Sequence, residues 1–218
     1  MNIHQHPMLK AAFLLGAFSV LGTGLVAWVH SGTEARIDRN QRQTLLHNLQ
    51  TLLPPGDYDN DLLADAIEVS DPSMGTARPV PVYRARKQGK PVAVVMTPSA
   101  PDGYSGEIRL LVAVRADARV IGVRVVGHKE TPGLGDLIEV DKSDWIRGFD
   151  GLSLDEPSER QWKVKRDGGV FDQFTGATIT PRAVVKAVKN SLAYFEPHRA
   201  ELFERPAAGV PEDLIDTQ

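Results

Sequence analysis

Cysteine is absent from the 218 residues, which excludes a disulfide framework, a thiolate nucleophile, Cys-ligated zinc, an iron–sulfur cluster and covalently attached c-type haem. An excess of charge of one sign is missing too: 25 Lys+Arg against 28 Asp+Glu leave a formal net charge of -3, so there is no bulk attraction to phosphate backbones. No local basic patch stands in for it, and nucleic acid is not an expected partner. No Gly-x-Gly-x-x-Gly follows a strand pattern and no Walker loop occurs, which argues against a nicotinamide or nucleotide site. Apart from His4 and His6, the six histidines are scattered, a distribution that does not suit a metal centre. Repeats and low-complexity tracts are lacking as well.

What is present begins with one long apolar run. From Ala11 to Val29 no residue is charged, and a helix of that length nearly reaches across the ~30 Å hydrocarbon core of a bilayer. The run predicts a single transmembrane helix in contact with membrane lipid. A cleaved signal peptide is the rival reading, but the run exceeds the usual h-region of ~7–15 residues. Trp28 suits a membrane interface, and Gly16, Ser19, Gly22, Thr23 and Gly24 suit close approach of a second helix. Lys10 precedes the run and Arg36, Arg39 and Arg42 follow it. Charge count alone therefore favours a C-terminal side facing the cytoplasm.

The remainder reads as one domain of α+β class. Leu45, Leu46, Leu49, Leu52 and Leu53 recur at helical spacing from Gln41 to Leu53, and Pro54-Pro55-Gly56 stops the pattern. Strands are predicted at Val80–Ala85 and Pro91–Met96 around Gln88-Gly89-Lys90. A hairpin follows, from Glu107–Arg115 and Val120–Val126 about Asp117-Ala118, and another strand is expected at Trp162, Val164 and Lys165. A helix begins at Pro181 and carries Val184, Val185, Val188, Ser191, Leu192 and Phe195 down one face. Beyond Pro197 a short helical stretch, Arg199 to Phe203, precedes a tail from Arg205. Strands in a block with helices at either end argue for antiparallel strands rather than a wound parallel sheet. Trp145 and Trp162 read as core residues.

The segment richest in chemistry is Asp172-Gln173-Phe174-Thr175-Gly176-Ala177-Thr178-Ile179-Thr180-Pro181. Thr180 suits an N-cap and Pro181 the first helical residue, so a turn feeds a helix N-terminus. Orphan N–H groups and the positive helix end favour an anion there, and Gly176 and Ala177 leave room for a large group. A plain capped helix fits the same residues.

The pattern Asp172-x-x-Thr175-Gly176-Ala177-Thr178 resembles the flavinylation motif of the FMN-binding domain family. An apolar N-terminal run, Gly103-Tyr104-Ser105-Gly106-Glu107-Ile108 and the loop His128-Lys129-Glu130-Thr131-Pro132-Gly133-Leu134-Gly135-Asp136 extend the likeness, in that order, to the G subunits of Rnf electron-transport complexes. The C subunit of the sodium-pumping NADH:quinone reductase is similar over fewer residues. The resemblance implies covalent FMN, joined through its phosphate to Thr178 by a flavin transferase. It further implies an electron-carrying subunit among the other subunits of a membrane complex that couples electron transfer to ion translocation. It assigns Thr175, Gly176, Ala177 and Asp172 to the attachment motif, with Asp172 serving either transferase recognition or the turn. Thr175 bonds the phosphate or its own turn. Glu130, Thr131, Gly133 and Leu134 are expected near the isoalloxazine, although the same loop reads as a turn with Asp136 capping the next helix. Lys129 either favours a reduced, anionic flavin or is only solvated. Trp145 or Trp162 could stack near the flavin.

The resemblance also sets topology against the charge count: inner membrane, single pass, soluble domain on the periplasmic side. The expected layout is a cytoplasmic tail over 1–10, a span over 11–29, a helical lead-in over 30–79, an FMN-binding domain over 80–204 and a flexible tail over 205–218. A subunit of this kind has no autonomous turnover. A membrane-anchored FMN-binding or scaffold module without an electron-transfer role is the alternative.

Overall fold

A computed structural model describes residues 7–208. Parts of the tails expected over 1–10 and 205–218 lie outside the described residues. The first helix, α1, runs from Pro7 to Leu52 without a break, so the helical pattern read at Gln41–Leu53 is its last part and not a separate element. Residues 1–45 form one compact unit and 46–218 the other. Within the first, the stretch Lys10–His30 is long and apolar enough to cross a membrane, and Phe13, Phe18, Leu21 and Leu25 are exposed along it.

The second unit holds a six-stranded antiparallel sheet: β1 (Ala66–Val69), β2 (Val80–Lys87), β3 (Lys90–Met96), β4 (Ser99–Ala100), β5 (Ile108–Arg115) and β6 (Val120–Gly127). β1, β2, β3 and β5 lie side by side in that order. β3 and β4 share one edge of β5, and β6 takes the other. The alternation read in Ile108, Leu110, Val112 and Val114 is real, and all four are in the main core. Leu111 and Ala113, which period 2 turns to the opposite face, are buried as well. That second face is covered from the end of α1: a Cβ on Gly122 would stand 2.8 Å from Leu52 Cδ2. β1 lies in the stretch read as helical lead-in, and is a correction to that reading.

α2 spans Ile179–Glu204 and lays Ala183, Val184, Val185, Val188, Leu192 and Phe195 into the core. Pro197 sits inside it, so the break expected there does not occur. A helix-interior proline costs roughly 3 kcal/mol, and the following turns are held by other means. Leu202 and Phe203 are buried. Arg84, 2% exposed, donates Nη1 to the carbonyls of Leu202 (3.1 Å) and Arg205, and pairs through Nη2 with Asp65. Arg86 donates Nε to Asp65 Oδ2 (2.7 Å) and Nη2 to the Phe203 carbonyl (2.6 Å). Two guanidinium groups thus supply donors to the carbonyls of Leu202, Phe203 and Arg205 at the negative end of α2. The chain then turns back, and Ala208 N–H bonds Ala66 O at 2.8 Å, so residues 205–208 are tied to β1 and not a free tail.

Between β6 and α2 the chain makes short 3₁₀ turns, including Gly135–Ile138, Asp144–Phe149, Glu159–Gln161 and Lys165–Asp167. The strand expected at Trp162–Lys165 is absent. Val164 makes a lone parallel bridge to Phe171, because Trp162, Phe171 and Phe149 close on one another as an aromatic cluster instead. Phe149 and Phe171 stack at 4.6 Å, and Trp162 lies 5.3 Å from Phe171. Trp162, 2% exposed, donates Nε1–H to Ser153 O at 3.0 Å, as a buried indole must. Trp162 is a core residue.

Candidate flavin-attachment site

The motif segment follows the aromatic cluster. Asp172 is exposed at its side chain, where Oδ1 meets Lys165 Nζ at 2.6 Å. Phe174 is buried, and Ala177 N–H reaches back to Phe174 O at 3.3 Å. That closes a turn with Thr175 and Gly176 at its corner. Gly176 has φ +85°, a region open to glycine at no steric cost. A Cβ there would also stand 3.4 Å from Leu134 Cδ2, so the motif and the 130s loop meet at this glycine. Ala177 and Thr178 are half-buried, and Thr175 and Gly176 are exposed.

Which threonine begins the helix differs from expectation. Thr178, not Thr180, stands at the N-cap of α2, with φ -82° and ψ -18° and no side-chain capping bond. Its hydroxyl is therefore not spent on the helix. Thr180 lies one residue inside, wholly buried, and gives its hydroxyl to Glu130 Oε2. Pro181 is the third helical residue, where its missing N–H is one of the helix's orphan donors in any case.

Glu130 is the hub of the site. It is 4% exposed, and its two carboxylate oxygens are taken: Oε2 by Thr180 and Oε1 by the N–H of Ser105 at 2.9 Å. Its own N–H donates to His128 Nδ1 at 3.0 Å, and His128 Nε2 meets Glu139 Oε1 at 2.7 Å. With Nδ1 accepting, neutral His128 carries its proton on Nε2. Three segments distant in sequence, the 103–107 loop, the 128–139 loop and the first turn of α2, thus converge on one carboxylate. Gly135 permits it, since a Cβ there would sit 2.8 Å from Glu130 Cβ and 3.1 Å from Thr180 Oγ1.

Thr131 closes the 130s loop, its carbonyl accepting from Leu134 N–H (3.1 Å) and Gly135 N–H (3.0 Å). Gly133 is exposed at φ +77° and Leu134 is 42% exposed. Asp136 is not a cap: Leu134 holds the N-cap position of the 3₁₀ turn, and Asp136 lies inside its first turn, buried, with Oδ1 unpartnered. Lys129 is exposed. Trp145 is half-buried and joined to the motif, donating Nε1–H to Asp172 O at 2.8 Å with its ring edge-on to Phe174 at 5.1 Å. Trp145 and Lys165 carry no sequence signal that points to the motif.

Asp167 and Arg182 brace the first turn of α2 from outside by a two-pronged pair at 2.6 and 2.8 Å. The Arg182 guanidinium holds the Asp167 carboxyl below its ordinary value of 3.8. A lowered carboxylate pKa adds stability above the unfolded value and loses it as pH falls through the folded one. The Tm of the detergent-solubilised chain is expected to exceed that of Asp167→Asn at pH 7, with the gap closing below pH 3.8. Both groups are exposed, so the gap is small and shrinks with salt. A gap that widens in acid would contradict this assignment.

Residues 103–193, which hold all of this geometry from the 103–107 loop to the first turns of α2, match the FMN-binding domain family, and residues 1–52 match the family described as the RnfG N-terminal region. A Pseudomonas aeruginosa protein, named as the G subunit of an ion-translocating oxidoreductase complex, is 55% identical over 199 residues, covering 91% of this chain and 93% of the relative. The chain belongs to the family of Rnf-complex G subunits. Proteins of the same name from Shewanella baltica (47% identity, 93% of this chain and 96% of the relative) and Vibrio cholerae (43%, 90% and 94%) agree along nearly their whole length. Within this RnfG-family chain, the FMN-binding match encloses the Glu130 hub, the 130s loop and the whole of 172–178. One helix apolar enough to span a membrane precedes it.

The residues present fit an FMN. A hydroxyl free of capping stands at the positive end of α2. Beside it, Gly176 keeps side-chain bulk out of the gap to Leu134, and Leu134 and Ile179 offer exposed apolar surface at 42% and 44%.

Proposed function

We propose that this chain carries FMN as a phosphodiester on Thr178 Oγ and serves as an electron-carrying subunit of an ion-translocating membrane complex, its soluble domain on the periplasmic side. The observation that carries the reading is the state of Thr178: N-cap position, hydroxyl free of capping, and the small residues Gly176 and Ala177 just before it. Bound there, the flavin supplies the electron chemistry. The chain's own residues attach, orient and shield. N–H groups at the start of α2 would hold the phosphate. Leu134 and Ile179 would give the ring an apolar rest, with Thr131 and Gly133 shaping the loop that carries Leu134. Asp172, exposed at the start of the turn, serves recognition by the transferase.

Attachment requires an activated flavin nucleotide. The Oγ–P bond forms as a phosphoanhydride bond breaks, the hydroxyl proton goes to solvent, and a nucleoside monophosphate leaves. In membranes containing the assembled complex, electron donor is expected to reduce the flavin of this chain and acceptor to reoxidise it. In Thr178→Ala membranes electron flow should stop. Flow that persists would make the chain a scaffold. A reporter fused after Gln218 is expected to be active only outside the cytoplasm, and activity inside would overturn the topology.

A further inference from the structure

We propose that Trp145 is a positioning residue for flavin attachment, its indole N–H holding the motif turn in the form the transferase accepts. This rests on Thr178 being the attachment point. The segment 172–178 is held at both ends. Downstream, Thr180 is locked to the buried Glu130. Upstream, the holds on side chains are exposed ones: Lys165 on Asp172 at 2.6 Å, and Arg166 N–H on Gln173 Oε1 at 3.3 Å. Exposed ion pairs constrain little.

Trp145 instead grips the backbone, at the Asp172 carbonyl, 2.8 Å from Nε1. Its ring lies edge-on to Phe174 at 5.1 Å and to Phe149 at 5.5 Å, and Phe149 stacks on Phe171. One side chain therefore ties the motif's first residue, and through Phe174 the base of its turn, to the aromatic core. The indole brings this from Asp144–Phe149, a 3₁₀ turn with no other place in the site. A substrate turn that is already ordered loses less freedom when an enzyme binds it, so the hold is felt in binding of the chain by the transferase.

The test is loading of the full-length, detergent-solubilised chain by purified flavin transferase with flavin adenine dinucleotide. Initial rates are read from covalent flavin fluorescence. Trp145→Phe keeps a ring in the cluster and removes the N–H, leaving the exposed Asp172 carbonyl to water. We expect the apparent KM for the protein substrate to rise on the order of 2- to 10-fold, the worth of one hydrogen bond, with kcat little changed. Val94→Ala, a buried change in β3 remote from the motif, matches any loss of Tm. It should load at the native rate. Equal loading of native and Trp145→Phe chains would overturn the proposal, as would equal slowing of Trp145→Phe and a Val94→Ala chain of the same Tm. A native chain that accepts no flavin at Thr178 would instead remove the reading on which the proposal stands.

Discussion

Thr178→Ala is expected to reduce flavin fluorescence of the denatured chain to background after co-expression with a flavin transferase, with no loss of folding. Three threonines lie in the segment, and the structure separates them. Thr180 is wholly buried and its hydroxyl is committed to Glu130, so no transferase reaches it. Thr175 is exposed at the corner of the turn, reachable but set before the helix and away from its N–H groups. Thr178 alone joins access to a hydroxyl free of capping at the positive helix end. Thr175→Ala should therefore keep covalent flavin. Because Thr178 makes no capping bond, its loss removes no hydrogen bond from α2. Native Tm with a dark band is the expected pair of readings, and a bright Thr178→Ala band alongside a dark Thr175→Ala band would move the attachment point.

The second large effect is on stability. Arg84→Ala is expected to destabilise the domain by about 3–5 kcal/mol, because several groups lose a charged donor at once and each buried polar group left unsatisfied costs about 1–3 kcal/mol. Asp65 would lose one of its two guanidinium partners, and the carbonyls of Leu202 and Arg205 would lose their donor. At ~2–4 °C per kcal/mol for a chain of this size, Tm should fall on the order of 10 °C. Arg84→Lys should recover little of it, since an ammonium cannot serve two carbonyls and a carboxylate from one fork. Arg86→Ala, at a position 21% exposed, should cost less. Urea or thermal unfolding of the solubilised chain measures each, and an Arg84→Ala chain as stable as native would mean that water replaces the guanidinium freely.

These two sites differ in how far the amino-acid sequence discloses them. The hairpin Ile108–Gly127 shows itself because two eight-residue strands rich in Val, Leu and Ile flank the turn at Asp117-Ala118, and antiparallel α+β architecture follows from it. The apolar run Lys10–His30 is legible by its length and composition. β1 is only four residues long, with Glu68 in its middle, too short for a period to register. The rule that proline ends a helix fails at Pro197 because Arg84 and Arg86, over a hundred residues earlier, hold the turns beyond it. Local pattern cannot carry a contact of that separation.

The site divides in the same manner. Glycine, small residues and threonines before a helical pattern mark the proposed attachment turn locally. The Thr180 hydroxyl suggests a cap by type, but a carboxylate fifty positions away claims it, and the cap passes to Thr178. Trp145 carries only the general mark of an aromatic residue. Its bond to Asp172 exists because the Asp144–Phe149 turn folds under the motif.

The central claim is a phosphodiester between FMN and Thr178, and the most direct test is the mass of the tryptic peptide from Asp167 to Arg182, taken from the chain matured with its transferase. The account predicts that peptide heavier by one FMN less one water, with fragment ions placing the addition on Thr178. An unmodified peptide from a chain that was exposed to an active transferase, or an addition on Thr175, would contradict it.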